Sequence, residues 1–168
     1  NGNIGLVMTE AAVAIAVYNE NTTVFDTSIA RWRQQAPAYL YVKSDGPTPK
    51  RPPMQRYLAH TAPTCEPDCT DAQMVNYWHG QKAYDRDGIC QETCRDLGHA
   101  ELGMATLVNT AETAYHQGID LYAENQARLI AGAELHASLL ALEPAALRQP
   151  VPPTLCGGKL KGANSSST

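Results

Sequence analysis

The chain has 168 residues, 43% apolar and 18% charged, with a net charge of -4; this suits one globular domain with a real core and is short for two. The acidic balance, with a pI near 5.7, excludes the basic field that nucleic acid or an anionic membrane would call for. No run of 18 apolar residues offers a membrane span.

Residues 4–19, "IGLVMTEAAVAIAVYN", are apolar almost all round with Glu10 as the main interruption, so they predict a helix buried on every side. Over 23–36, Phe25, Ile29, Trp32 and Ala36 recur at three- and four-residue spacing opposite Asp26, Arg31, Arg33 and Gln34. That pattern predicts an amphipathic helix, capped by Thr22 or Thr23 and ended before Pro37. From 43 to 88 the periodicity dissolves into a long Pro- and Cys-bearing loop, with short helical pieces expected around "DAQMVNYW". Loops of that length in a compact domain are usually functional or stapled. A third helix is expected over 91–117, ended by Gly118. A fourth follows from an Asp120 cap, with an apolar stripe through Leu129, Ile130, Ala133, Leu139 and Leu140, and stops before Pro144. The tail 144–168 reads as loop.

The order is thus all-α, with buried and amphipathic helices alternating and no convincing strand. Alternation of that kind predicts two concentric layers, part of an (α/α) toroid of helical hairpins; a plain helical bundle is the alternative. The chain starts at Asn1 inside helical sequence and stops in "GANSSST" without a visible signal peptide, so a single partial domain over 1–168 is expected.

Five cysteines fall as Cys65-x3-Cys69, Cys90-x3-Cys94 and a lone Cys156. Two equal spacings suggest two bridges, most simply Cys65–Cys94 with Cys69–Cys90, although spacing does not fix connectivity. A four-cysteine zinc site suits "CQETC", which runs into a helix, less well, so disulfides and an oxidising compartment are favoured. The sequons at Asn21 and Asn164 agree with secretion.

"CQETCRDLGH" carries the chemistry. On a helix at 100° per residue, Glu92, Arg95, Asp96 and His99 share an arc of about 100°, continued by Gly103, Thr106, Thr110 and Thr113. The apolar stripe through Leu97, Ala100, Met104, Leu107, Val108 and Ala111 lies elsewhere on the circumference. A solvated helix start with Glu–Arg and Asp–Arg pairs would explain the charges alone. His99 lies beyond the first turn, however, and the flanking Gly98 and Gly103 suggest close approach by a backbone or a ligand.

Residues 91–122, "QETCRDLGHAELGMATLVNTAETAYHQGIDLY", together with "NGNIGLVMTEAAVAI" upstream, resemble the alginate lyase superfamily of secreted polysaccharide lyases with an (α/α) toroid. The likeness rests on Arg-Asp-x-x-His, on the Ala111–Tyr122 continuation and on an Asn-led inner helix. It covers most of 1–142 outside the Cys-bearing loop. It implies that helices precede Asn1 and that the domain continues past Thr168. It also implies β-elimination on a 4-linked uronate such as alginate or a glucuronan; no cofactor is expected, and the sequence leaves open whether a metal assists. Arg95 would take the carboxylate bidentately, Asn3 would add a neutral donor, and His99, an imidazole, would remove the C5 proton. Family members often use a tyrosine for part of this work, and none can be placed here. Glu92 would contact substrate or orient Arg95. Tyr77 and Trp78 would offer a stacking platform, with His79 as a subsite contact; packing of the loop would equally explain both aromatics. Lys43, Lys50, Arg51 and Arg56 give the loop a local positive excess. His60, His116 and His136 are assigned no role. No phosphate loop, Gly-x-Ser-x-Gly elbow or His-Glu-x-x-His motif occurs. An acidic polysaccharide is the expected partner, with a non-catalytic secreted glycan- or protein-binding toroid as the alternative.

Overall fold

The computed structural model describes residues 2–53, 70–140 and 151–160; Cys65, Cys69, Arg56, His60, Pro144 and the Asn164 sequon lie outside them. The described residues form five α-helices: α1 (Gly2–Tyr18), α2 (Thr22–Tyr39), α3 (Asp71–Tyr77), α4 (Leu97–His116) and α5 (Leu121–Leu140). Short 3-10 turns sit at Lys43–Asp45 and Cys156–Gly158. No strand occurs among the described residues; one antiparallel bridge pairs Leu40 with Cys90. No described helix is long and apolar enough to cross a membrane.

α1 packs on α2 and α4, and α4 on α5. The Gly2 N–H donates to Gln91 Oε1 and Asn109 Nδ2 donates to Glu10, so α1 and α4 run side by side in the same direction, with α2 returning antiparallel to α1. The centre of this packing is Trp32, fully buried, whose Nε1–H donates to the Leu107 carbonyl at 3.3 Å. Leu6, Ile29, Leu40 and Leu129 join it in one apolar cluster. A second cluster gathers Tyr41, Trp78, Ile89, Leu97, Leu139 and Leu155, tying the loop and the 151–160 segment to the body.

Several boundaries differ from the sequence expectation for identifiable reasons. Asn21, not Thr22 or Thr23, caps α2, its side chain accepting from Val24 N–H at 3.0 Å. The helix then continues through Pro37 to Tyr39, because Tyr39 and Leu40 are both drawn into the core. α4 starts six residues later than expected: Asp96 is its N-cap, accepting from His99 N–H. Thr93 Oγ1 accepts from Cys90 N–H and holds the preceding stretch in turns. The helical piece expected near "DAQMVNYW" is α3, opened by a reciprocal Thr70–Gln73 capping box.

α1 is not buried on every side. Met8 is 64% and Tyr18 88% exposed, with Ile4 and Ile15 on the same face; among the described helices, α2 and α4 are the ones packed on α1. Gly103 makes room for packing rather than for a ligand: a Cβ there would meet the Tyr39 hydroxyl at 2.0 Å. The expected polar stripe of α4 is largely interior. Thr106 and Thr110 are buried because their hydroxyls donate to the carbonyls of Gly103 and Thr106, which removes the penalty of burying them.

One ion pair locks the loop onto α5. Asp45 accepts from Arg128 Nη1 and Nη2 at 2.7 and 2.8 Å, and Arg128 also reaches the Leu40 carbonyl. Burial opposes ionisation of Asp45, but the Arg128 hydrogen bonds and the Val42 N–H outweigh it and hold its pKa below the usual carboxylate value. A carboxylate whose folded pKa is depressed stabilises the fold above its unfolded pKa, near 3.9, and loses that contribution as pH falls through the folded value. Urea midpoints measured from pH 7 to pH 2 are therefore expected to drop below about pH 4. Part of that drop should be missing in Asp45→Asn.

Candidate functional site

The turn 90–96, the start of α4 and His79 bring two carboxylate-centred groups together, one around Glu92 and one around Asp96. Glu92 is fully buried, yet its Oε2 lies 3.0 Å from His79 Nε2 and 3.5 Å from Arg95 Nη1. Asp96, the next residue after Arg95, holds His99 Nδ1 at 2.6 Å. Burial would raise the Asp96 pKa, but the His99 N–H, the His99 imidazole and Arg95 together overcome it and lower the pKa. The sequence is thus imidazole, carboxylate, guanidinium, carboxylate, imidazole, with Arg95 at its middle. Its three basic members are partly open: the His79, Arg95 and His99 side chains are 21%, 32% and 37% exposed.

This is not the single helical face the spacing suggested. Glu92 and Arg95 precede α4, so their positions follow from the turn. His79 joins them from beyond the end of α3, where it adopts φ 52 beside Gly80 at φ 92. That left-handed exit aims the chain away from α3, and the imidazole meets Glu92 and, at 3.2 Å, Gln91 Nε2. Gln91 in turn donates to the Tyr77 carbonyl and accepts from Gly2 N–H.

Four expected assignments change. Trp78 is fully buried and packs edge-on to Tyr84 at 5.3 Å, and Tyr77 is also buried, so neither offers a stacking face to a sugar. Burial, with Glu92 nearby, pushes the Tyr77 phenol well above its ordinary pKa. Glu92 is sealed from solvent and acts on its neighbours rather than on a substrate. Asn3 is also sealed, and its Nδ2 has no hydrogen-bond partner among the described residues; it presents no donor at the surface. Of the loop cations, Lys50 Nζ turns back to the Asp45 carbonyl.

The cysteine pairing is corrected as well. Cys94 bonds to Cys156, 62 residues away, and Cys90 is a free, buried thiol, which excludes Cys65–Cys94 and Cys69–Cys90. No spacing rule could find this partner, because Cys156 lies in the tail and reaches Cys94 only after folding. Cys90 instead meets His136, given no role from sequence: Sγ lies 3.5 Å from His136 Nε2, and Thr93 Oγ1 lies 3.0 Å from the same nitrogen. His136 Nδ1 donates to the Gly132 carbonyl, which leaves Nε2 turned toward the Cys90 thiol and the Thr93 hydroxyl. The group is an enclosed polar knot joining α5 to the 90–96 turn. Among the described residues, no three metal-ligating side chains converge.

Beside His79 opens a groove of about 830 Å³, bounded by the 79–83 segment, Cys94 and the 153–160 segment. Neither Arg95 nor His99 lines it. No protein-family profile, curated protein or solved structure matches the chain.

Proposed function

We propose that the chain is a polysaccharide lyase that cleaves a 4-linked uronate polymer by β-elimination, as part of a secreted (α/α) toroid. The observation that carries this reading is the partly open Arg95, in contact with Glu92 and next in the chain to Asp96, with an imidazole on each of the two carboxylates.

β-Elimination needs three things from the protein: neutralisation of the C6 carboxylate, a base for the C5 proton, and a proton for the departing O4. Arg95 is suited to the first, because a guanidinium presents several N–H donors in a fixed fork. Charge placed where the carboxylate gains enolate character lowers the barrier more than it stabilises bound substrate. His99 is suited to the second. With Nδ1 turned to Asp96, its Nε2 lone pair is left for the substrate. The C5 proton passes to that nitrogen, the electron pair forms the C4–C5 double bond, and the C4–O4 bond breaks. O4 takes its proton from water.

Incubating the protein with polymannuronate, polyguluronate and polyglucuronate is expected to generate the ultraviolet absorbance of a C4–C5 unsaturated sugar. A folded protein that produces none from any of these is not a lyase of this class. The second reading, a toroid that binds glycans or proteins without cleaving them, draws on the enclosure of Asn3 and of the tyrosines Tyr39 and Tyr77. Uronate binding without product would select it.

A further inference from the structure

We infer that the groove beside His79 is a binding site for an acidic oligosaccharide, and that the Cys94–Cys156 bond builds one wall of it. This rests on the uronate reading and extends it to a subsite away from Arg95.

Size and chemistry support the assignment. A groove of about 830 Å³ falls within the range of small-ligand sites. Among the described residues, its charged or chargeable lining consists of Lys82, Lys159 and His79, with no carboxylate among them, although the chain as a whole carries -4. Lys82 and Lys159 are both exposed, and neither has an ion-pair partner among the described residues. Two unneutralised ammonium groups from separate segments suit a ligand with repeated negative charge. Pro153, Leu160 and the disulfide add apolar surface for the C–H faces of sugar rings. His79 connects the groove to the chemistry, since it lines the groove and rests on Glu92, which also holds Arg95.

The wall carrying Lys159 is fastened by a few bonds. Besides Cys94–Cys156, Gln81 accepts from Cys156 N–H at 2.8 Å and donates to the Thr154 carbonyl at 2.9 Å, and Arg86 reaches Thr154 Oγ1. Gln81 is itself buried, so it is a fixed post. Reducing the disulfide would free the 151–160 segment from its covalent anchor and let Lys159 leave the groove.

The test is calorimetric titration of the full chain, at low salt, with a tetrasaccharide of 4-linked glucuronate and with its neutral 4-linked glucose counterpart. Binding of the acidic sugar alone is expected. Lys82→Ala/Lys159→Ala should weaken it at least tenfold, as should Cys94→Ser/Cys156→Ser, with helical circular dichroism retained in both. Lys82→Arg/Lys159→Arg should keep the affinity. Absence of acidic-sugar binding, equal binding of both sugars, or wild-type affinity in the lysine double variant would overturn the site. Turnover of polyuronate with an unchanged KM in that variant would overturn the groove and leave the lyase reading standing. Groove-dependent binding with no unsaturated product would do the reverse.

Discussion

Trp32→Ala is expected to cost about 3–5 kcal/mol of stability, the usual range for emptying a large buried aromatic site. Trp32 is fully enclosed where α2 meets α4, and its indole N–H is spent on the Leu107 carbonyl. Removing it opens a void among Leu6, Ile29 and Leu107 that helix packing cannot close without moving whole elements. Domains of this size hold about 5–15 kcal/mol in total, so the variant should lose a large part of its margin. Urea unfolding followed by far-ultraviolet circular dichroism measures this without depending on tryptophan fluorescence. Trp32→Phe keeps most of the volume and should fall between the two. A loss under about 1 kcal/mol for the alanine variant would mean that α2 and α4 are not joined as described.

Arg95→Ala is expected to reduce kcat on polyuronate by about 10²–10³, the loss typical of removing one preorganised electrostatic donor. The fold should be nearly untouched, because Arg95 is a third exposed and its contact with Glu92 is a long one at 3.5 Å. Glu92→Gln separates positioning from contact. Glu92 is sealed from solvent and cannot touch the polymer, but it holds both His79 and Arg95. Its variant should therefore lower kcat with KM little changed, and should also reshape the pH–rate profile, which a merely structural residue would leave in place. If Arg95→Ala raised KM alone, Arg95 would be a binding group that holds substrate and transition state equally. Wild-type turnover in the same variant would remove it from the chemistry altogether.

Much of the helical plan is legible in the sequence. The stripe Phe25, Ile29, Trp32 and Ala36 announces α2, and Ile29, Trp32 and Ala36 are buried at its core. Asp120 does cap the fifth helix, accepting from Ala123 N–H. The α4 stripe was read only in part, since Leu97, Ala100, Leu107 and Ala111 are buried but Val108 is exposed. In α5, Ile130 and Leu140 face outward while Gly132 and His136 face inward. Hydrophobicity reports what a residue tolerates; burial depends on which neighbour arrives, and small or self-satisfied side chains such as Gly132, Thr106 and Thr110 fit where larger apolar ones would not.

The site was legible in its members and not in its arrangement. Glu92, Arg95, Asp96 and His99 stood out by density of charge within eight residues, and the same four form the middle and one end of the observed series. Their expected helical phase was wrong because Asp96, as a cap, starts the helix later than apolar periodicity suggests. By itself the sequence determined the helices, the acidic balance of the chain, and the cluster of ionisable groups, because each follows from local composition and short-range spacing. Only the tertiary structure decided that His79 meets Glu92, that Cys94 takes Cys156, that Cys90 lies against His136, and that Trp78 and Asn3 are enclosed. Each of these joins residues from separate elements, and such contacts are set by how helices and loops pack, which no local pattern encodes.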